Sequence, residues 1–309
     1  MHTWTYNSGD DPLEGTRRWL ADPALRELVD MFDGEWPAEG GSLRQRAAAL
    51  SDFSTAWDFR GVGGSRLDIK STEEVQALSG RILPLVQQLA IVEPPPLRGG
   101  DFDWVLVLGG LATGCRSRTE YVSESLASGA ISTRQLCLLG SFRELLDGER
   151  ADAAEFAPQA KNEVGMLQAL ADFEFPSSEP WRIQIDGDPE KAPREAQLAG
   201  HRDSKPALSL YAARSSDPGR NANSADTYRQ FADAVGLDGG RLLLVSTHIY
   251  APYQHWDAVR VLGVPHHVEV ETVGTPPSAS RREFDAAWYL QEVRSALRSA
   301  AALAEAMEE

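Results

Sequence analysis

The sequence predicts an α/β protein with a Rossmann-like parallel sheet flanked by helices and preceded by an N-terminal helical extension. Apolar strands alternate with helix-like stretches from Trp104 onward, which is typical of βαβ units. Residues 242–245 are all apolar, as expected for a strand covered on both faces. Before Trp104 the pattern is helical only.

The N-terminal part contains three helix-like stretches, at residues 13–31, 42–57 and 72–90. The segments GEWPAEGG and FRGVGGS separate them, because glycine and proline interrupt helices. The segment VEPPPLRGGDFD then marks a boundary. We therefore expect a helical extension over residues 1–100 and an α/β domain with a C-terminal helix over residues 101–309.

The α/β part alternates regularly. Strands are predicted at residues 104–108, 135–139, 207–212, 242–245 and 267–273. Helices are predicted at residues 119–128, 162–173, 224–235, from near 252 to 262, and at 281–307. The last helix is expected to pack back on the domain or to form a subunit contact.

Residues 174–206 interrupt this alternation with an acidic, proline-rich segment. Within it, WRIQID is compatible with an extra strand, whereas DGDPEKAPREAQ has the composition of a solvated loop. Loops of this length are either functional or simple insertions. A lid over the site and an insertion without a role there both remain open.

Composition narrows the function classes. The formal charge is -16 and the pI is about 4.8, which disfavours nucleic acid and anionic membranes as partners because both require concentrated lysine and arginine. No apolar run is long enough to span a bilayer, so a cytoplasmic location is expected. Cys115 and Cys137 lack paired spacing, and we predict no metal site.

Polar side chains follow the strand at 242–245 directly. They are Ser246, Thr247, His248 and Tyr250, and ligands of α/β sheets bind at the carboxyl ends of strands. His248 is the leading candidate for proton transfer, since the pKa of histidine is ordinarily near neutrality. The alternative is a structural histidine.

Gly109 and Gly110 end the strand that begins at Trp104. Without side chains they allow a ligand to approach the backbone, although GGLATG matches neither a dinucleotide-binding nor a P-loop motif and a simple tight turn is the alternative. Arg116 follows and is expected to clamp an anion. For Arg118 two interpretations remain open: an anion clamp of the same kind and a surface ion pair with Glu120.

Two helix starts carry further candidates. Asn162 and Glu163 open one helix, where a carboxylate either stabilises the helix N-terminus or points into the pocket as a base. Asn223, Ser224 and Thr227 open another with a strong capping pattern, which leaves N–H groups available to an anion. The expected ligand-binding set comprises Gly109, Gly110, Arg116, Ser141, Asn162, Asn223, Ser224, Thr227, Ser246, Thr247 and Tyr250.

Five segments occur in a characteristic order: DWVLVLGG, LLGS, NEVGMLQAL, RSSDPGRNANSADTYRQFA and LLLVSTHIYAPYQHWDAVRVLG. In this order and spacing the region 103–274 resembles the bacterial YdcF/SanA/ElyC-like family. The resemblance implies a Rossmann-like domain and permits binding of S-adenosylmethionine or a similar nucleotide. The chain departs from the family at Pro252, which is followed by tyrosine and glutamine instead of arginine.

Together these observations predict an enzyme that binds a small or nucleotide-like molecule in a pocket at the strand ends, with His248 and Glu163 transferring protons. A non-catalytic ligand-binding or regulatory protein is one alternative, and a partner subunit of a biosynthetic enzyme complex is another. The expected partner is a small molecule, with a protein partner or a homo-oligomer as further alternatives.

Overall fold

The computed structural model describes residues 5–9, 11–38, 40–60, 69–93, 95–280 and 282–307. It contains one eight-stranded sheet. The strands are β1 (Tyr6–Asn7), β2 (Gly100–Leu108), β3 (Ile131–Gly140), β4 (Arg182–Asp186), β5 (Gln197–Arg202), β6 (Ala207–Ala212), β7 (Arg241–Thr247) and β8 (Glu269–Thr275).

The strand order is β1-β8-β7-β2-β3-β6-β5-β4. Strands β8, β7, β2, β3 and β6 are parallel. The antiparallel strand β1 extends the sheet beyond β8, and the antiparallel strands β5 and β4 extend it beyond β6. Taken in chain order, the parallel strands are arranged third, second, first, fourth, fifth, which is the order of a Rossmann half-sheet. The predicted α/β class is thus confirmed, and β2 and β7 flank the point at which the strand order reverses.

Helices cover both faces of the sheet. They are α1 (Glu14–Trp19), α2 (Pro23–Met31), α3 (Leu43–Phe53), α4 (Glu73–Gln88), α5 (Ala112–Ala127), α6 (Asp147–Ala153), α7 (Glu163–Glu174), α8 (Ser224–Val235), α9 (Ala251–Ala258), α10 (Val264–His266) and α11 (Ala286–Met307). One core lies beneath α5 and α7. The other lies beneath α8, α9 and α11 and includes the N-terminal helices.

The central strands are buried on both faces. Leu243 and Val245 of β7 point into the core beneath α5, whereas Leu242 and Leu244 point into the core beneath α8. This alternation follows from the two-residue period of a strand. It explains why the sequence there is apolar without interruption.

The N-terminal segment shares its core with the C-terminal half of the chain. Strand β1 pairs with β8 at the edge of the sheet, and the Tyr6 hydroxyl donates to the Leu89 carbonyl at 3.0 Å. The ring of Trp19 meets that of Trp256 edge-on, with 4.8 Å between centroids. The boundary expected near residue 100 therefore separates two stretches of chain that pack into a common core.

Several helices differ from the predicted bounds. The stretch predicted as one helix over 13–31 is two, because Asp22 caps a new helix that has Pro23 in its first turn. Helix α5 begins at Ala112, seven residues before the predicted start. Helix α11 begins at Ala286, and residue 281, the predicted start, lies outside the described residues.

The insertion at 174–206 forms strands. Strand β4 pairs with β5, and β5 with β6, so the segment extends the sheet at one edge. The turn between β4 and β5 contacts the loop after β6, where Arg194 Nη1 donates to the Pro218 carbonyl at 3.0 Å. The strand expected within WRIQID is present.

Candidate functional site

The reversal of strand order brings the carboxyl ends of β2 and β7 together, and the buried side chain of Arg118 joins them. Its Nε donates to the Leu108 carbonyl at 2.8 Å, and its Nη1 donates to Thr247 Oγ1 at 2.8 Å. Its Nη2 donates to the Gly109 carbonyl at 3.1 Å. A guanidinium group is therefore fixed at the place where α/β sheets bind their ligands.

Arg116 occupies the opposite side of α5. Its Nε donates to Glu120 at 2.6 Å and its Nη1 to Glu155 at 2.5 Å. The expected placement of the two arginines is thus reversed: Arg118 lies at the glycine turn and Arg116 forms the surface ion pair. The reason is helical geometry, because residues two apart on a helix point in nearly opposite directions.

Glu163, the first residue of α7, is buried beside the end of β3. Its Oε2 accepts from the Ser141 amide at 3.0 Å and from the Ser141 hydroxyl at 2.7 Å, and Arg143 Nε lies 3.6 Å away. Burial raises the pKa of Glu163, while Arg143 and the hydrogen bonds from Ser141 oppose that rise. The carboxyl thus lies beside the end of β3, at the carboxyl edge of the sheet.

Arg143 holds a second buried carboxylate. Its Nη1 and Nη2 donate to the two oxygens of Glu149, each at 2.8 Å, and Nη2 also donates to the Gly110 carbonyl at 2.6 Å. Burial acts to raise the pKa of Glu149, but the Arg143 hydrogen bond and the Leu146 amide outweigh it, and the net pKa is lowered. Sequence reasoning missed both residues, although Arg143 stands only two positions after Ser141.

We call Arg118, Ser141, Arg143, Glu149 and Glu163 the switch-point cluster. The glycine turn makes room for it. A Cβ on Gly109 would lie 2.7 Å from Glu163 Oε1, and one on Gly110 would lie 3.2 Å from Arg118 Nη2. The missing side chains thus admit the protein's own charged groups close to the backbone.

His248 has different surroundings. Its ring lies 5.5 Å from that of Phe284, which in turn contacts Trp288 of α11, so it faces the α11 side of the sheet. Burial lowers the pKa of His248 to about 4, slightly opposed by the Thr275 backbone. Neither ring nitrogen has a hydrogen-bond partner among the described residues. The imidazole is therefore neutral at pH 7, and its interaction with the Thr275 backbone is too poorly aligned to count as a hydrogen bond.

Glu163 and His248 therefore do not form an acid–base pair in the described structure. Glu163 is bonded to Ser141 on the α7 side, whereas His248 contacts Phe284 on the other side. Of the neighbouring residues, Ser246 and Thr247 are buried, and Tyr250 is half-buried with its ring 5.9 Å from that of Tyr253.

The predicted helix caps are present. Asn223 Oδ1 accepts from the Asp226 amide at 3.0 Å, and Thr227 Oγ1 donates to the Ser224 carbonyl at 2.8 Å. Ser224 Oγ accepts from Gln254 of α9 at 2.9 Å. These side chains thus satisfy the start of α8, and none of their hydrogen bonds reaches the switch-point cluster.

Asn162 has a comparable role at α7. Its Oδ1 accepts from the Gly165 amide at 2.9 Å. Gly109, Gly110, Ser141, Glu163 and Thr247 are consequently the predicted residues that direct contacts bring together. Arg116, Asn162, Asn223, Ser224, Thr227 and His248 lie in other contacts.

Two cavities accompany these features. One, of about 480 Å³, lies beside α5 and the end of β8, between Tyr121, Gly274 and several prolines. The other, of about 300 Å³, lies between α9 and α11 and is bordered by Arg60 and Ile69. Neither is lined by the switch-point cluster.

The described ranges hold neither a cluster of metal-binding side chains nor a helix that could span a membrane. They contain no group of three or more His, Cys, Asp or Glu side chains placed to hold a metal ion. Every helix within these ranges is too short or too polar to cross a bilayer.

Comparison with known proteins finds similarity to mycobacterial sequences. Residues 6–90 match the family model described as the Rv3785 N-terminal domain. The chain is 33% identical over 341 residues to the uncharacterized protein Rv3785 of Mycobacterium tuberculosis, covering 98% of this chain and 94% of the relative. The uncharacterized protein Mb3814 of Mycobacterium bovis matches with the same identity and coverage. No solved structure matches the chain.

Proposed function

The chain belongs to the same family as mycobacterial Rv3785, and we propose that it binds a small anionic, nucleotide-like molecule at the switch point between β2 and β7. One observation carries this proposal: Arg118 and Arg143 place two guanidinium groups at the glycine turn. Both donate to backbone carbonyls of that turn. Guanidinium groups bind phosphate and carboxylate through paired hydrogen bonds.

Arg143 is the group that would meet the ligand. Its side chain is 19% exposed, while the Glu149 carboxylate fixes its orientation. A cation held in place in this way loses little conformational freedom on binding. Arg118, by contrast, is buried and would act by holding the turn and by its charge.

Glu163 makes binding sensitive to pH in this proposal. Its raised pKa means that it gains a proton more readily than an ordinary glutamate. An anion bound beside it would favour the protonated form further. We therefore expect the anion to bind more tightly as pH falls, with uptake of a proton by Glu163.

The YdcF-like resemblance is part of the proposal for a nucleotide-like ligand. S-adenosylmethionine fits the cluster less well than a phosphate-bearing nucleotide does, because its sulfonium is positively charged and two guanidinium groups lie at the turn. We therefore favour a phosphate or carboxylate group as the part of the ligand that contacts Arg143.

An enzymatic form of the proposal assigns proton transfer to Glu163. Its partner within the protein is the Ser141 hydroxyl, 2.7 Å from Oε2, and a substrate hydroxyl could take the same position. His248 has no part in this step because its ring faces Phe284. A regulatory protein that binds without turnover is the alternative, and product formation separates the two.

The test is titration calorimetry of the full chain with ADP, inorganic phosphate and S-adenosylmethionine, together with native mass spectrometry of the purified protein. We expect ADP to bind, and Arg143→Gln to weaken it by roughly tenfold or more, as for loss of a charged hydrogen bond. Arg116→Gln is the matched control, because Arg116 pairs with Glu120 away from the cluster.

Arg143→Gln leaves the Glu149 carboxylate buried without its partner, so the double variant Arg143→Gln/Glu149→Gln is measured beside it, with folding checked by circular dichroism. Loss of ADP binding in both variants, with the control unchanged, supports the site. Absence of binding for all three probes, with no retained small molecule in the native spectra, contradicts it.

A further inference from the structure

The outer strand of the sheet, β4, presents a free edge. It pairs with β5 on one side, and no other element of the described ranges pairs with its opposite side. All five of its residues are exposed, including Ile183 at 41% and Ile185 at 48%. An exposed edge strand with apolar side chains is a template for pairing with another chain.

The two isoleucines continue an apolar face of the protein. They lie two residues apart and therefore on one side of the sheet. Ile185 stands opposite Leu198 of β5, whose side chain belongs to the core beneath α5 and α7. Sheet edges that must stay single commonly carry charged side chains, proline or a bulge. The segment RIQID has no proline, and its two charged residues, Arg182 and Asp186, stand at its ends and have opposite signs.

We propose that β4 pairs with β4 of a second copy of this chain, in antiparallel orientation about a two-fold axis at Gln184. The sequence RIQID is complementary to itself in that register. Arg182 then faces Asp186 of the second copy, Ile183 faces Ile185, and Gln184 faces Gln184. Opposite charges and apolar pairs facing one another across strands stabilise a sheet, and a two-fold interface repeats each pair twice.

The neighbouring charges fit the same arrangement. Arg182 lies 3.0 Å from Asp203, and Asp186 pairs with Arg214. In the dimer the Arg182–Asp203 pair of one copy lies beside the Asp186–Arg214 pair of the other copy, so that unlike charges are adjacent. All four side chains are already exposed, so pairing requires no buried charge to lose its partner. One continuous sheet would run through both copies.

Charge reversal tests this register. Arg182→Asp and Asp186→Arg each place like charges opposite one another at two symmetric positions. The double variant restores the unlike pairs between the two copies, while within each copy Asp203 and Arg214 then each meet a like charge. We expect wild type to be a dimer by sedimentation equilibrium. Each single reversal should raise the dimer Kd by roughly tenfold or more, and the double reversal should bind more tightly than either single reversal.

Leu146→Lys is the matched control, because Leu146 is 53% exposed but lies away from the sheet edge. Ile185→Lys is a second disrupting variant, and circular dichroism confirms the folding of each protein. Dissociation by the single reversals with recovery in the double variant supports the proposal. A wild-type monomer up to about 100 µM, unchanged single reversals, or a double variant as weak as the singles overturns it.

Discussion

Replacement of His248 by leucine is expected to stabilise the folded protein, most strongly in mild acid. The imidazole is 1% exposed and neither nitrogen is hydrogen-bonded within the described residues. A buried polar group without a partner costs about 1–3 kcal/mol. Leucine removes that cost and is of similar size, so at pH 7 we expect a gain within this range.

The pH dependence follows from the lowered pKa. In the unfolded chain the imidazole titrates near 6.5, and in the folded protein burial lowers its pKa to about 4. The free energy of unfolding of the wild type is therefore unaffected by this titration above pH 6.5 and decreases as pH falls from 6.5 through 4, because the unfolded chain takes up the proton more readily. At pH 5 the loss amounts to about 2 kcal/mol. The variant should therefore gain about 2 kcal/mol more at pH 5 than at pH 7.

Urea denaturation of the full chain at both pH values measures this difference. Expressed as a shift in melting temperature, a difference of 2 kcal/mol is about 3 °C for a chain of 309 residues. His267→Asn serves as the control, because His267 is exposed and has a left-handed φ of 56° that asparagine tolerates. The reasoning fails if His248→Leu loses as much stability between pH 7 and pH 5 as wild type does, or if it is destabilised at pH 7.

Two further changes test the cluster. Burial raises the pKa of Glu163, so the stability that Glu163 contributes is complete below the ordinary pKa of glutamate and is lost as pH rises through the raised pKa of the folded state. Glu163→Gln should flatten the decline in stability above the ordinary pKa, and an unchanged slope in urea denaturation would contradict this. Gly109→Ala should destabilise by about 1–3 kcal/mol, because its Cβ would lie 2.5 Å from the Leu139 carbonyl oxygen. Gly148→Ala, with no atom within 4 Å of the added Cβ, should be neutral or stabilising in thermal denaturation, and equal losses for both alanines would argue against the crowding.

The sequence was most informative where periodicity and caps were strong. The helix predicted over 224–235 agrees with α8 at both ends, because Asn223 caps its start and Gly236 ends it in a left-handed conformation. Strand β1 has only two residues and therefore no periodicity to detect. Its position is set by pairing with β8, far away in the chain.

The sequence indicated which strand ends lie together, but not which side chains meet there. The carboxyl ends of parallel strands share one edge, and Gly109 and Thr247 accordingly contact the same Arg118 side chain. The identity of the arginine at the turn depends on where α5 starts, and the predicted start at residue 119 lay beyond both Arg116 and Arg118. Arg143 escaped notice because its role depends on Glu149, a contact that tertiary structure creates.

The shared core of the two chain ends has a consequence for how the protein is made. Tyr6 and Trp19 leave the ribosome long before β8 and Trp256, the groups that bury them. Until then the apolar surface that these residues bury against β8 and α9 has no partner, and contacts between residues so distant in sequence form slowly. The N-terminal segment therefore reaches its native packing only after synthesis has passed β8.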